Sequence, residues 1–223
     1  VIGATILYQA ILAGLYGGYP YYRSYPDEAW IISTGVYLVS GVPYGPGVSL
    51  PEAADKPILQ PLFIGIEYAV LGFPLFLYSI WIWNALTMGI LIISAYYVGK
   101  YFFDEKTGVI TALLIGLNWH ITWYGQRVLN DVGMAALVLL TMALYGHYSH
   151  YPQKEYLFAS GLVGALACWT KEPAIYILIP FFALALLKRS PPSWHLPHFI
   201  FGFLAGFLPF ASVSAVRLGN PLY

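Results

Sequence analysis

Four short stretches bring ionisable side chains together in patterns that could do chemistry. In "SYPDEAW" two carboxylates, Asp27 and Glu28, are adjacent just after an apolar, Tyr-rich opening. Such a pair can cap a helix and charge its first turn. Equally, one of the acids can act as a general base toward an incoming hydroxyl, or as a metal ligand. In "EAADKPILQP" Asp55 precedes Lys56 and a proline. The two can close a salt-bridged turn, or Lys56 can hold a phosphate at the N-terminus of the helix that Pro57 would open. In "WYGQRVLNDVGM" Arg127 and Asp131 stand four apart, which on one continuous helix puts them on one face as an ion pair. In "ACWTKEPAIYILIP" Lys171 and Glu172 separate two short apolar runs, where the lysine can snorkel to the interface or meet a phosphate held at membrane level.

The histidines and the cysteine read more plainly. His147 and His150, and His195 and His198, have a spacing of three that could chelate a metal. No carboxylate cluster accompanies either pair, so solvated interfacial positions are expected. His120, in "GLNWHITWYG", is expected to pack or hydrogen-bond within a bundle. The one cysteine, Cys168, excludes an internal disulfide and any cysteine-built metal cage and reads as core filler.

These groups are sparse in an apolar chain. Only 9% of residues are charged, 59% are hydrophobic, the formal net charge is zero and the mean hydropathy is +0.68. Soluble domains carry about 25% charged residues, so the expected fold class is all-α, a polytopic transmembrane helical bundle. Ten Lys and Arg residues scattered along the chain do not make the clustered basic face that nucleic acid requires, and no nucleic-acid partner is expected. No basic n-region precedes "VIGATILYQAILAGLYGG", so no cleavable signal peptide is expected.

A bilayer span needs about 20 apolar residues. Windows near Val1–Tyr19, Leu75–Tyr101, Val109–Trp123, Val132–Tyr148, Tyr156–Thr170, Ala174–Leu187 and His198–Val216 give about seven spans. Residues 20–74 form a long first loop containing "DEAWIISTGVYLVSG", which starts as a helix with the acids in its first turn. Further on, "PILQPLFIGIEYAVLG" reads as a helix lying at the interface, because Glu67 and Pro61 argue against a span. "GLYGG" and "GFLAG" fit close helix packing through small residues. With the N-terminus inside, Lys and Arg divide five against five, so the positive-inside rule does not orient the chain. The acids do divide. Asp27, Glu28, Glu52, Asp55, Asp131 and Glu172 fall outside, with Glu67 at the interface, and only Asp104, Glu105 and Glu155 fall inside. Ionisable groups converging at helix mouths on one face suggest a site for a charged ligand.

Taken in order, "YPDEAW", "DKPILQP", "QRVLNDVGMAALVLL", "LACWTKEPAIYILIPF" and "RLGNPLY" resemble the N-terminal half of membrane glycosyltransferases of the C-type fold. The group resembled is the dolichyl-phosphate-mannose protein mannosyltransferase-like one, which includes the aminoarabinose transferases of lipid A. The resemblance covers essentially all 223 residues as one N-terminal transmembrane portion; relatives continue through further spans and commonly a C-terminal domain. Two departures are visible: Ile58 stands where the family usually has a second proline, and "IWIWNAL" lacks an arginine often found early in the second span.

The resemblance implies an integral, multi-pass cell-membrane enzyme with its site on the extracytoplasmic face, among membrane lipids. It would move a sugar from a polyprenyl-phosphate donor to a hydroxyl on an acceptor protein, lipid or glycan. Asp27 would be the general base with Glu28 tuning it, Lys56, Lys171 and Arg127 would hold the donor phosphate, and Asp55 and Asp131 would orient those cations or bind a divalent metal. The rivals are an oligosaccharyltransferase-like enzyme, for which "PDEAW" only partly matches an Asp-x-Asp motif, and a secondary transporter, which calls for mid-span charges and an internal repeat. A non-catalytic membrane scaffold would leave the acids free to vary.

Overall fold

A computed structural model describes residues 2–16, 26–41, 58–72, 75, 79, 81–125, 127, 129–187 and 195–218. The described residues form ten helices and no strand: α1 (Ile2–Tyr16), α2 (Pro26–Ser40), α3 (Leu59–Leu71), α4 (Trp81–Phe102), α5 (Glu105–Leu117), α6 (Trp119–Gly125), α7 (Asn130–His150), α8 (Lys154–Thr170), α9 (Pro173–Leu187) and α10 (Leu196–Leu218). Each of the seven apolar windows holds a helix. α4 and α7, with 22 and 21 residues, are long and apolar enough to cross a bilayer.

Polarity is arranged inside out. Gln9, Asn84, Ser94, Thr141 and Ser160 are buried, while Leu7, Leu114, Ile179, Phe201 and Leu208 are exposed. In water such an exterior would aggregate; against lipid it costs nothing, and the interior polar groups serve as glue. Gln9 Nε2 donates to the Gly116 carbonyl at 2.5 Å and to Thr122 Oγ1 at 2.8 Å, fastening α1 to α5 and α6. Ser160 Oγ donates to the Thr141 carbonyl at 2.9 Å, fastening α8 to α7.

The "GFLAG" expectation is met at the α8–α10 crossing. A Cβ on Gly202 would stand 2.0 Å from the Phe158 carbonyl oxygen, and one on Gly161 would stand 2.1 Å from that of Phe199. "GLYGG" falls mostly outside the described residues. The window Val109–Trp123 is not one helix. α5 ends at Asn118, where the backbone is extended, and the Asn118 side chain accepts the Ile121 N–H at 3.1 Å to start α6.

Within the first loop, α2 and α3 pack closely on one another. The two backbones touch where a Cβ on Gly35 would lie 2.4 Å from the Pro61 carbonyl oxygen, and one on Gly65 2.3 Å from that of Gly35. Trp30, Ile31, Ile32, Val36 and Ile64 give this pair its own apolar cluster. It docks on the bundle through Leu38, Ile58, Leu59 and Leu62 against Trp169, Phe207 and Phe210, and through Phe63, whose ring is 4.7 Å from that of Trp83. Trp83 begins α4 and Trp169 ends α8, so the pair covers one end of the bundle.

Candidate functional site

At the end covered by α2–α3, the mouths of three bundle helices meet. A Cβ on Gly133, near the start of α7, would lie 3.3 Å from Thr170 at the end of α8 and 3.5 Å from Trp83 at the start of α4. Of the charged residues singled out in the sequence, Glu28, Arg127, Asp131 and Lys171 sit around this meeting point. α2 begins at Pro26, a residue suited to the first helical position because its missing N–H has no partner there anyway. Asp27 and Glu28 therefore occupy the first turn, where the helix dipole favours carboxylates; Asp27 lies inside the helix rather than capping it. The Asp27 carboxyl group, Asp55, Lys56, Pro57 and most of "RLGNPLY" lie outside the described residues.

Glu28 is 1% exposed and faces Arg127, with Oε2 3.6 Å from the guanidinium Nη1. That distance makes an ion pair rather than a hydrogen bond. Arg127 is 14% exposed and lies over the Trp123 ring, 4.6 Å from its centre, so a cation–π contact fixes the second face of the guanidinium. The expected Arg127–Asp131 pair does not form. The chain bends at Arg127 and α7 starts only at Asn130, so the two are not on one continuous helix.

Asp131, in the first turn of α7, pairs instead with Lys171, whose Nζ donates to Oδ1 at 2.5 Å. Lys171 follows α8 in extended backbone (φ −162°, ψ 133°), and its N–H closes the helix on the Ala167 carbonyl. The Lys171 and Asp131 side chains are 39% and 49% exposed, so solvent screens this pair and it can exchange partners at little cost. The buried Glu28–Arg127 pair cannot, because separating it strands a charge in a dry seam. Glu172, beside Lys171, is exposed.

No group of three His, Cys, Asp or Glu side chains assembles among the described residues; Asp55, expected to hold a divalent metal with Asp131, lies outside them.

Four polar residues that the sequence did not single out as site members stand on the same elements. Gln60 and Glu67 lie on α3, Asn84 on the first turn of α4 and Asn130 at the start of α7; the first three are 0%, 8% and 2% exposed. Burial pushes the Glu67 carboxyl up to about 8. The available signal was a polar residue at i and i+7, Gln60 and Glu67, on one face of an apolar helix.

At the opposite end His147 and His195 are tied to phenols rather than solvated, whereas His150 is exposed as expected. Tyr101 Oη is 2.5 Å from His147 Nδ1, and Tyr148 Oη is bonded to Nδ1 of His195, which is 6% exposed. His120 is exposed on α6, against the expectation that it would pack or bond within the bundle.

The model of the family described as dolichyl-phosphate-mannose-protein mannosyltransferase matches residues 55–215, well over half of the chain. The match takes in Arg127, Asp131 and Lys171 and starts after α2 with its two acids. No curated protein and no solved structure matches the chain. With the apolar exterior, the helical bundle and this match together, the chain belongs to the dolichyl-phosphate-mannose-protein mannosyltransferase family and is a mannosyltransferase-like membrane glycosyltransferase.

Proposed function

We propose that the end covered by α2–α3 faces the extracytoplasmic side of a multi-pass bundle and transfers a sugar from a polyprenyl-phosphate donor to an acceptor hydroxyl. The observation that carries this reading is the gathering of two opposite-charge pairs, Glu28–Arg127 and Lys171–Asp131, where the mouths of α4, α7 and α8 meet beneath α2. A phosphate anchored by its lipid tail can approach only at membrane level, which is where helix mouths lie.

In the proposed step the acceptor oxygen bonds to the anomeric carbon and its proton passes to the Asp27 carboxylate. The bond from that carbon to the phosphate oxygen breaks, and the electron pair leaves with the polyprenyl phosphate. The transition state has oxocarbenium character, with negative charge growing on the departing phosphate. A cation positioned beforehand lowers the barrier most where that charge develops. Lys171 suits this role because it is half exposed and its partner Asp131 can release it. Lys56 would join it from the first loop. Arg127, held by Glu28 and Trp123, fixes the first turn of α2, and with it the base, relative to the bundle. Glu28 thereby positions rather than reacts. No step is routed through a metal.

The test supplies membranes carrying the full chain with polyprenyl-phosphate mannose or a nucleotide mannose, wild type beside Asp27→Asn. Transfer from the lipid donor alone, reduced by about 10²–10⁴-fold in the variant as expected for loss of a general base, supports the reading. Near-normal turnover in a folded Asp27→Asn protein removes Asp27 from the chemistry, and transfer from the nucleotide sugar replaces the donor class.

A further inference from the structure

Polar side chains on α3 and at the starts of α4 and α7 hold more hydrogen-bonding capacity than the protein uses. Both amide atoms of Gln60, both carboxyl oxygens of Glu67, Nδ2 of Asn84 and Oδ1 of Asn130 are buried without a hydrogen-bond partner among the described residues. Buried polar groups are nearly always partnered, and each orphan carries a desolvation penalty. Four on adjoining elements therefore mark a place where a polar ligand completes the set.

Their placement says what kind. Gln60, Ile64 and Glu67 share one face of α3 at i, i+4 and i+7. On one side of that face Ile64 and Gly65 meet α2, and on the other Phe63 meets Trp83 of α4. The face thus opens between α2 and the mouth of α4, toward the elements that bear Glu28 and Arg127. Asn84 stands on the α4 turn after Trp83, and Asn130 is three residues from Arg127. A phosphate would be met by donors alone, and the set is rich in acceptors. A cation would be met by acceptors alone, and the amide donors and the Arg127 guanidinium oppose it. A hydroxyl both donates and accepts, so the mixed set suits several hydroxyls held in a fixed array, and the Trp83 ring beside it offers a face for C–H groups.

We infer that Gln60 and Glu67, with Asn84, form a subsite for the hydroxyls of a pyranose ring, setting which sugar the enzyme accepts. The inference rests on the glycosyl-transfer reading, and the ring can belong to the donor or to a glycosylated acceptor.

The full chain in detergent is assayed with polyprenyl-phosphate mannose and a serine-rich peptide, each varied in turn, for wild type, Gln60→Leu, Glu67→Leu and Glu67→Gln. The leucine variants are expected to raise one KM by roughly tenfold, the loss of about one ligand hydrogen bond, while Glu67→Gln stays near wild type. A rise in the donor KM assigns the subsite to the donor sugar; a rise in the peptide KM with a mannosylated peptide, and not with the bare one, assigns it to the acceptor. Both KM values unchanged, with kcat altered or not, overturn the inference, and a raised Tm alongside would show the orphans to be strain alone. Should the leucine variants not fold, Gln60→Glu and Glu67→Gln carry the same readouts at constant size. Thermal stability in high millimolar methyl α-mannoside separates the two failures. If the wild type transfers no lipid-linked sugar, the function reading falls, yet a Tm rise in wild type that is absent in Gln60→Leu still supports the subsite. No rise in the inactive wild type overturns both.

Discussion

The two ends of the bundle are held by different chemistry. At the end under α2–α3 two ion pairs stand among the described residues, Glu28 with Arg127 and Lys171 with Asp131, beside the neutral tie of Gln9 to Thr122. At the other end the ties join neutral-capable phenols and imidazoles, Tyr101 to His147 and Tyr148 to His195, within a packed aromatic cluster that includes Tyr156 and Phe182. A phenol–imidazole bond forms in either donor–acceptor sense, according to the imidazole tautomer, and between neutral partners carries no net charge. The half-exposed Lys171–Asp131 pair is the contact that an arriving charge can re-divide, whereas the buried Glu28–Arg127 pair and the Tyr148–His195 bond hold their partners in place.

The sharpest way to break this contrast is Glu28→Ala. It leaves Arg127 buried without its carboxylate, and the expected loss is about 3–5 kcal/mol of stability, with transfer lost as well. A double variant with Arg127→Ala should recover part of the stability and none of the transfer, since the coupling belongs to the pair. If Glu28→Ala keeps wild-type stability, the pair is not what ties α2 to the bundle. The matching change at the opposite end is Tyr148→Phe. It removes one bond to a buried imidazole, expected to cost about 1–3 kcal/mol, and transfer by the folded protein should be unchanged. Activity lost in step with Glu28→Ala would erase the functional difference between the ends.

Lys171→Ala sharpens the contrast within the ionic end. Its pair is half exposed, so stability should move by less than about 1 kcal/mol. Donor use should nonetheless fall well below that of Lys154→Ala, because Lys154 opens α8 at the opposite end. Equal effects of the two lysines would discredit the phosphate role.

The parts legible in the sequence were those set by local pattern. Apolar windows located the bundle helices, "PDEAW" located the start of α2, and Gly202 and Gly206 announced a close crossing that α8 supplies. The parts that were not legible depend on partners distant in the chain. Glu28 and Arg127 are brought together by the docking of α2–α3, and spacing four apart misled for Arg127 and Asp131 because Asn130 restarts the helix. His147 and His195 were misplaced for the same reason: their tyrosines come from other helices, Tyr101 from α4 and Tyr148 from α7. Glu67 and Pro61 looked like marks of an interfacial helix, and tertiary packing buries both, with Gln60 beside them.

The pH dependence of stability turns on Glu67, a carboxyl buried on the ionic side with no cation partner among the described residues. Its pKa of about 8 in the folded protein lies above the ordinary 4.5 because burial disfavours the charged form. Below about 4.5 the group is neutral in both states and costs little. Between 4.5 and 8 the unfolded chain has released the proton while the folded protein retains it, so folding takes up a proton and stability falls as pH rises. Above 8 both states are ionised and the slope ends. Glu67→Gln cannot titrate. The wild-type Tm should therefore drop progressively below that of Glu67→Gln from pH 5 to pH 8 and run parallel to it beyond. Parallel curves across the whole range would mean that Glu67 ionises as freely as in solvent, placing its carboxyl among the exchangeable charges of this end rather than in the dry seam beside them.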